Sequence, residues 1–113
     1  MDAQGLKAEV DKVIQTIEAD ANPFLFVGLT PTYPGLVADS YILQLGADWL
    51  DRYASTAELD YVIKRLYAMM PPEAIRQINR IELLDEDSQL NGLTEDLVLR
   101  NELSHKLVKL HVD

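Results

Sequence analysis

Cysteine is absent from this chain of 113 residues, which excludes disulfide bonds, thiolate chemistry and zinc sites built from cysteine. A chain without cysteine fits the cytoplasm. Long hydrophobic runs are also lacking, because the longest, FLFVGL at residues 24–29, is far shorter than the roughly 20 apolar residues that span a bilayer. The first residues, MDAQGLKAEV, lack the basic and apolar regions of a signal peptide. We therefore expect a cytoplasmic protein that does not bind membranes.

Glycine and histidine are too sparse for the common phosphate and metal sites. The five glycines are isolated, so the chain has no glycine-rich phosphate loop of the dinucleotide or Walker type. Glu102 and His105 have the Glu-x-x-His spacing of di-iron bundles, but the spacing occurs once and the bundle's other carboxylates are missing. DEDSQLNG begins at Asp85 like a calcium loop, yet Leu90 stands where that loop requires glycine. We expect no catalytic residues, no cofactor and no metal.

Basic residues are few. Ten lysines and arginines accompany 19 aspartates and glutamates, so the net charge is −9. Phosphate backbones and anionic lipids repel such a chain, and we expect no binding to nucleic acid. The acidic excess is largest in residues 79–96, where six carboxylates accompany only Arg80. This segment is a candidate surface for a basic protein, and the alternative is a solvated acidic loop after an edge strand.

Hydrophobic periodicity predicts the first elements. Apolar residues at helical spacing predict a helix over residues 3–20, which DANP ends. PFLFVGL (23–29) and SYILQL (40–45) have the composition and alternation of strands, and TPTYPG between them is typical of a surface loop. The alternation places three side chains of the second strand on one face: Tyr41, Leu43 and Leu45.

Two further helices and a third strand are expected next. STAE at residues 55–58 matches a capping box, in which Ser55 and Glu58 bond each other's backbone amides at a helix start. Pro71 and Pro72 end this helix and begin a short one, because proline is tolerated in a first helical turn. NRIELLDED (79–87) follows as the third strand. The buried stripe of the longer helix is expected to consist of Leu59, Val62, Ile63, Leu66 and Met70.

The last segment, residues 94–111, is ambiguous. Its end, KLVKLHVD, alternates like a strand, whereas leucines recur at helical spacing from Leu99 to Leu110. Thr94 can cap a helix, acidic residues follow it, and lysines lie near the end, which is the charge order that a helix dipole favours. We therefore expect a helix, with a terminal strand as the alternative.

These elements predict a single small domain over residues 1–113, with two layers and about three strands. The class is α/β, with α+β as the alternative, in the order α-β-β-α-α-β-α. A helical crossover of about 25 residues joins strands two and three, so these strands should be parallel. Strand one should lie antiparallel beside strand two. A small open sheet has two edges, and pairing with a second copy would protect them.

The segment after the second strand holds the most specific candidate site. Asp48, Trp49 and Asp51 occupy the region where ligands bind beyond the carboxyl ends of parallel strands. Asp85 and Asp87 occupy the same region after the third strand. In the interpretation that we favour, Trp49 closes the core and the carboxylates remain in water, because large aromatic side chains more often pack than catalyse.

Three functions remain open. The favoured one is a non-enzymatic protein-interaction module that forms a homodimer and binds another protein, for which a basic protein is a candidate. The second is an acidic inhibitor of the immunity-protein type, which would bind a basic partner by charge complementarity. The third is a small enzyme that uses Asp48, Asp85 and Asp87. The candidate interaction surface consists of Asp48, Trp49, Asp51, Glu82, Asp85, Glu86 and Asp87.

Overall fold

A computed structural model describes residues 2–33, 40–50, 57–84 and 97–102. These ranges form an α+β domain with a mixed sheet, so the predicted small domain of helices and strands is confirmed. In chain order the elements are α1 (Ala3–Ala19), β1 (Phe26–Pro31), β2 (Tyr41–Gly46), α2 (Ala57–Met69), α3 (Pro72–Arg76), β3 (Ile78–Leu83) and β4 (Val98–Asn101). None of the helices within these ranges combines the length and the apolarity needed to cross a bilayer.

α1 forms because its apolar residues share one face and its first turn is capped. The Asp2 Oδ1 atom accepts a hydrogen bond from the Gly5 N–H at 2.7 Å, which satisfies one of the amides that a helix start leaves unpaired. After the helix, Ala21 adopts a φ of 65°, and Pro23 cannot continue the helical hydrogen bonds. The predicted helix is confirmed, and its buried face consists of Leu6, Val10, Val13, Ile14 and Ile17.

The four strands form one sheet in the order β3-β2-β1-β4. β1 is antiparallel to β2, with Phe26 opposite Gly46. β2 and β3 are parallel, with Leu45 opposite Leu83, as the helical crossover between them requires. Both predicted pairings among the first three strands are confirmed.

The segment predicted to be the last helix contains a strand instead. Residues 98–101 form β4, which is antiparallel to β1 with Asn101 opposite Phe26. Just beyond it, the Glu102 N–H donates to the Leu25 carbonyl at 2.7 Å. The helix prediction is wrong in this part, and the sheet has four strands rather than three.

The central position of β1 explains this difference. With β2 on one side only, β1 would leave a row of amides and carbonyls unpaired on the other, and β4 satisfies them. This long-range pairing outweighs the local charge order that favours a helix. Leu99, one of the predicted helical stripe, packs against the core from the strand. The other parts of the predicted helix, 94–96 and 103–111, lie outside the described residues.

The core lies between the helices and one face of the sheet. From the sheet it contains Val27, Leu29, Tyr41, Leu43 and Leu45. The predicted alternation of β2 therefore holds, because successive strand residues point to opposite faces. α2 contributes Val62 and Leu66, followed by Met70, whereas Leu59 and Ile63 are only partly buried. Ser55 of the predicted capping box lies outside the described residues.

The other face of the sheet, which we call the outer face, carries a buried polar pair. The Thr30 Oγ1–H donates to the Gln44 Oε1 atom at 2.8 Å, so neither buried group lacks a partner. Beside this pair the fully buried Phe26 ring lies over Gly28. A Cβ at Gly28 would be 2.9 Å from that ring, and glycine is required by this close approach.

The two consecutive prolines separate α2 from α3, as predicted. Pro72 is the first residue of α3, where the missing N–H would have had no partner within the helix. α3 leads directly into β3, and the Tyr41 N–H donates to the Gln77 carbonyl at 2.7 Å. The short helix thus returns the chain to the sheet and sets β3 beside β2.

Candidate functional site

The carboxyl ends of β2, β3 and β4 lie together at one end of the sheet, which we call the carboxyl end, because all three strands run in the same direction. Asp48 and Trp49 follow the last residue of β2 there, as the sequence predicts. Four other residues of the predicted surface lie outside the described residues: Asp51, Asp85, Glu86 and Asp87.

Trp49 is held by one hydrogen bond and two aromatic contacts. Its indole Nε1–H donates to the Pro23 carbonyl at 2.8 Å. Its ring meets Phe24 edge to face, with centroids 5.3 Å apart, and meets Tyr61 in the same manner at 6.4 Å. Phe24 was predicted within the first strand, but it lies before β1 and is buried. This aromatic cluster of Phe24, Trp49 and Tyr61 supports the interpretation that Trp49 closes the core.

Asp20 connects the end of α1 with α2 beside the aromatic cluster. Its Oδ2 atom accepts hydrogen bonds from the Tyr61 hydroxyl at 3.0 Å and from the Arg65 Nη2 at 2.9 Å. The Arg65 guanidinium also lies 5.4 Å from the centre of the Tyr61 ring. The side chains of Arg65 and Asp20 are 40% and 50% exposed, so the ion pair adds little stability. Asp20 also holds the Tyr61 hydroxyl in place.

The two acidic residues of the predicted surface that can be placed belong to different parts of the fold. Asp48 is exposed beyond β2, whereas Glu82 lies partly buried within β3. Among the described residues, no group of three His, Asp or Glu side chains could hold a metal ion. The enzyme alternative also depends on Asp85 and Asp87, which the structure does not describe, and it stays a prediction.

Arg100 is a charged residue that the sequence analysis did not single out. From β4 its Nε and Nη2 atoms donate to the Glu18 Oε1 atom at 3.2 and 2.9 Å. Asp11 lies farther away, 3.6 Å from Nη1. The hydrogen bonding to Glu18 raises the pKa of Arg100, although burial acts in the opposite direction. The sequence gives no local signal for this pair, because only the β1–β4 pairing brings the two residues together.

An open cavity of about 340 Å³ lies between α1 and β4. It is lined by Gln4, Lys7, Ala8, Asp11, Val98, Leu99 and Arg100. The charged lining residues have both signs, and Arg100 is already bonded to Glu18. The lining therefore favours neither an anionic nor a cationic ligand.

The Glu18–Arg100 pair should stabilise the packing of α1 on β4. We expect Glu18→Gln to lower the free energy of unfolding by about 1–2 kcal/mol, because a neutral amide cannot replace the charge-assisted hydrogen bonds. Arg100 is partly exposed, so solvent screening keeps the loss below that of a buried ion pair. Urea unfolding curves measure the difference.

Lys12 provides the matched control, because its ion pair with Glu9 (3.2 Å) lies within one helix and its side chain is exposed. Lys12→Gln should change the free energy of unfolding by less than about 0.5 kcal/mol. Equal losses in the two variants would show that Glu18–Arg100 has no special structural role.

β3 forms one edge of the sheet, and no other strand in the part of the chain that the structure describes pairs with its outer side. The register with β2 directs the backbone groups of Arg80 and Glu82 towards β2, and therefore those of Ile81 and Leu83 outwards. The side chains of Ile81 and Leu83 are partly exposed. β3 thus offers both hydrogen-bonding groups and apolar surface at its edge.

The outer face of β3 carries one charge of each sign. The side chains of Arg80 and Glu82 are 61% and 39% exposed, and the Arg80 Nη2 atom lies 3.7 Å from the Glu82 Oε2 atom. Glu82 also lies 3.5 Å from the Gln44 Nε2 atom. In the sequence Arg80 stands out only as the one basic residue of the acidic segment, although the Arg-x-Glu alternation places both charges on one face of a strand.

Large apolar side chains are exposed at the opposite, amino end of the sheet, where β2 and β3 begin. Among the described residues they are Tyr33, Tyr67 and Met69, which are 65%, 68% and 40% exposed. Tyr33 follows β1, and the other two lie at the end of α2 that leads through α3 to the start of β3. Tyrosine and methionine are enriched where proteins meet.

Comparison with known proteins gave no relative of this chain. No protein-family model, no curated protein and no solved structure matches it. The indications of function are therefore the chain's own surfaces: the carboxyl end, the β3 edge and the exposed residues of the amino end.

Proposed function

We propose that the protein is a non-enzymatic interaction module of the cytoplasm that associates with itself through its sheet. The observation that carries this proposal is the outward-directed backbone of β3 beside the partly exposed Ile81 and Leu83. Unpaired N–H and C=O groups at an edge are a template for another strand. Pairing would satisfy these groups and remove apolar surface from water at the same time. The cysteine-free composition supports the cytoplasm.

β3 is a better template than β4, which forms the other edge of the sheet among the described strands. β4 has four residues, and its register with β1 shifts between Val27 and Gly28. Short and bulged edge strands resist pairing with other chains. β3 has six residues; its register with β2 shifts at Asn79 and is regular over the four residues from Arg80 to Leu83. In β4 only Arg100 and Asn101 are in regular register, so β3 offers the longer regular stretch to another strand.

The exposed apolar residues of the amino end support a role in binding other proteins. Tyr67 and Met69 both belong to the last turn of α2 and are 68% and 40% exposed. Tyrosine contributes a large rigid area and a hydroxyl group, and methionine adapts to irregular surfaces.

Sedimentation velocity over a range of protein concentrations tests the proposed self-association. We expect a monomer–dimer equilibrium in which the dimer fraction rises with concentration. Neutral conditions and moderate salt are suitable, because hydrogen bonds and apolar contacts contribute besides charge. A chain that sediments as a monomer at every concentration would contradict the proposal.

An acidic inhibitor of a basic protein is the second candidate, and the net charge of −9 favours it. Affinity capture from a host extract should then retain a basic protein at about 0.1 M salt and release it at about 1 M, because the Debye length falls from ~10 to ~3 Å. Replacing Asp85, Glu86 and Asp87 with Asn, Gln and Asn should weaken the same capture and leave the thermal unfolding transition intact. If neither salt nor these substitutions reduce the amount of captured protein, this candidate is excluded.

A further inference from the structure

We infer that two copies of the protein pair β3 against β3 in antiparallel orientation, with the two copies of Ile81 opposite each other. This inference rests on the proposed self-association and names the surface and the register. The two copies would share one continuous sheet, in which the two β3 strands lie side by side at the centre. Such an interface uses the same patch on both copies, as a two-fold axis requires.

The backbone of β3 fits this register. The N–H and C=O groups of Ile81 point away from β2, so the two copies of Ile81 can exchange both hydrogen bonds. Leu83 also directs its backbone groups outwards; the residue opposite it would be Asn79 of the second copy, where the β2–β3 register shifts, so the regular pairing is centred on Arg80–Glu82. The Ile81 side chains, which are partly exposed in the single chain, would lie against each other beside the core. Polar and apolar groups at the edge would thus both be satisfied.

The charges of β3 favour a second copy of the same chain as the partner at this edge. In an antiparallel pair centred on Ile81, residues one position before and after the centre face each other, so Arg80 lies opposite Glu82 of the second copy. The same pairing occurs again on the other side of the axis. Both side chains lie on the outer face, and directly opposite charges of unlike sign stabilise a strand pair.

The two neighbouring antiparallel self-pairings of this edge place like charges together. An antiparallel pair centred on Arg80 would oppose two arginines, and one centred on Glu82 would oppose two glutamates. A parallel pair without offset would also put each charge beside its own copy. Charged side chains on an edge oppose association when they meet like charges of a second copy. The Arg-x-Glu pattern is instead self-complementary in one register.

Charge reversal tests the register. Arg80→Glu and Glu82→Arg should each weaken dimerisation by about tenfold or more, because every facing pair becomes repulsive. The variant with both reversals, Arg80→Glu with Glu82→Arg, restores unlike charges in the same register and should recover most of the affinity. Sedimentation equilibrium measures the dimer dissociation constant of each variant, and circular dichroism checks that each is folded.

A cysteine cross-link provides a second test, because the natural chain contains no cysteine that could interfere. In the inferred register the two copies of residue 81 have Cα atoms about 5.5 Å apart, within the range that a disulfide bridges. Ile81→Cys should therefore give a covalent dimer under mild oxidation. Asn79→Cys is the matched control, because its two copies would be about 13 Å apart along the strands and should not cross-link.

The outcomes separate this inference from the proposed function. A monomeric wild-type chain would overturn both. If the wild-type chain dimerises but the charge reversals leave the dissociation constant unchanged, or Ile81→Cys does not cross-link, the β3 register is wrong although self-association remains supported. If the charge reversals abolish the capture of a different protein but do not weaken the dimer, the β3 edge binds that other protein. This result would also overturn the inference. The inference would be supported if both single variants lose dimer affinity, the double variant recovers it, and only Ile81→Cys cross-links.

Discussion

Replacing Trp49 with alanine is expected to lower the free energy of unfolding by about 2–4 kcal/mol. The substitution removes a ring that contacts Phe24 and Tyr61 and a hydrogen bond to the Pro23 carbonyl. Trp49 is only partly buried, so the loss should be smaller than for a fully enclosed tryptophan. Urea unfolding curves followed by circular dichroism measure the change without depending on tryptophan fluorescence.

Two controls show which contact of Trp49 matters. Trp49→Phe keeps an aromatic ring but removes the indole N–H. The missing hydrogen bond should lower the free energy of unfolding by about 1 kcal/mol, and the smaller ring should lower it slightly further through lost packing. Tyr67→Ala removes an exposed aromatic side chain and should change stability by less than about 0.5 kcal/mol. If Trp49→Ala were as stable as Tyr67→Ala, Trp49 would not close the core, and a role as an exposed binding residue would become the better interpretation.

Leu43→Ala is expected to destabilise the protein by about 3–5 kcal/mol, because Leu43 is fully buried at the centre of the sheet. It lies opposite Leu29 on β1 and Ile81 on β3. The neighbouring strands leave little room for relaxation, so the deleted atoms should leave a cavity. Chemical unfolding at neutral pH measures the loss.

Ile42→Ala is the matched control for Leu43, because Ile42 is the adjacent residue on the outer face and is only partly buried. A loss of about 1 kcal/mol is expected there. A reversed order, with the larger loss at Ile42, would contradict the register of β2, because a slip by one residue exchanges the two faces of a strand.

Elements whose residues interact locally could be predicted from the sequence. The apolar spacing of α1 and the alternation of β2 indicate both the type of element and the buried face. The two prolines after α2 fix the break before α3, because their effect is on the adjacent backbone. The parallel pairing of β2 and β3 followed from the length of the connection between them.

Features that depend on distant parts of the chain could not be predicted in this way. Leu99 begins a leucine pattern of helical spacing, yet the residues from Val98 to Asn101 form a strand because β1 requires a partner. The Glu18–Arg100 pair exists only because of that strand. Of the predicted site, the packing of Trp49 could be inferred from its size and position, whereas its contact with Tyr61 depends on how α2 lies across the sheet.

The β3 edge shows the same division between local and long-range information. The Arg-x-Glu alternation of Arg80 and Glu82 is visible in the sequence, and it places two unlike charges on one face. That β3 is an edge strand, with the backbone of Ile81 directed outwards, depends on the order of all four strands. The Arg-x-Glu pattern therefore indicates a pairing surface only once the strand order is known.

Hydrogen exchange of the Ile81 amide at several protein concentrations tests the central claim most directly. The account predicts that this amide, which points away from β2, exchanges rapidly in dilute solution and becomes protected as the dimer forms. The Glu82 amide, which points towards β2, should be protected at every concentration and serves as the internal reference. An Ile81 amide whose exchange rate does not change with concentration, in a range where sedimentation detects the dimer, would contradict pairing through β3.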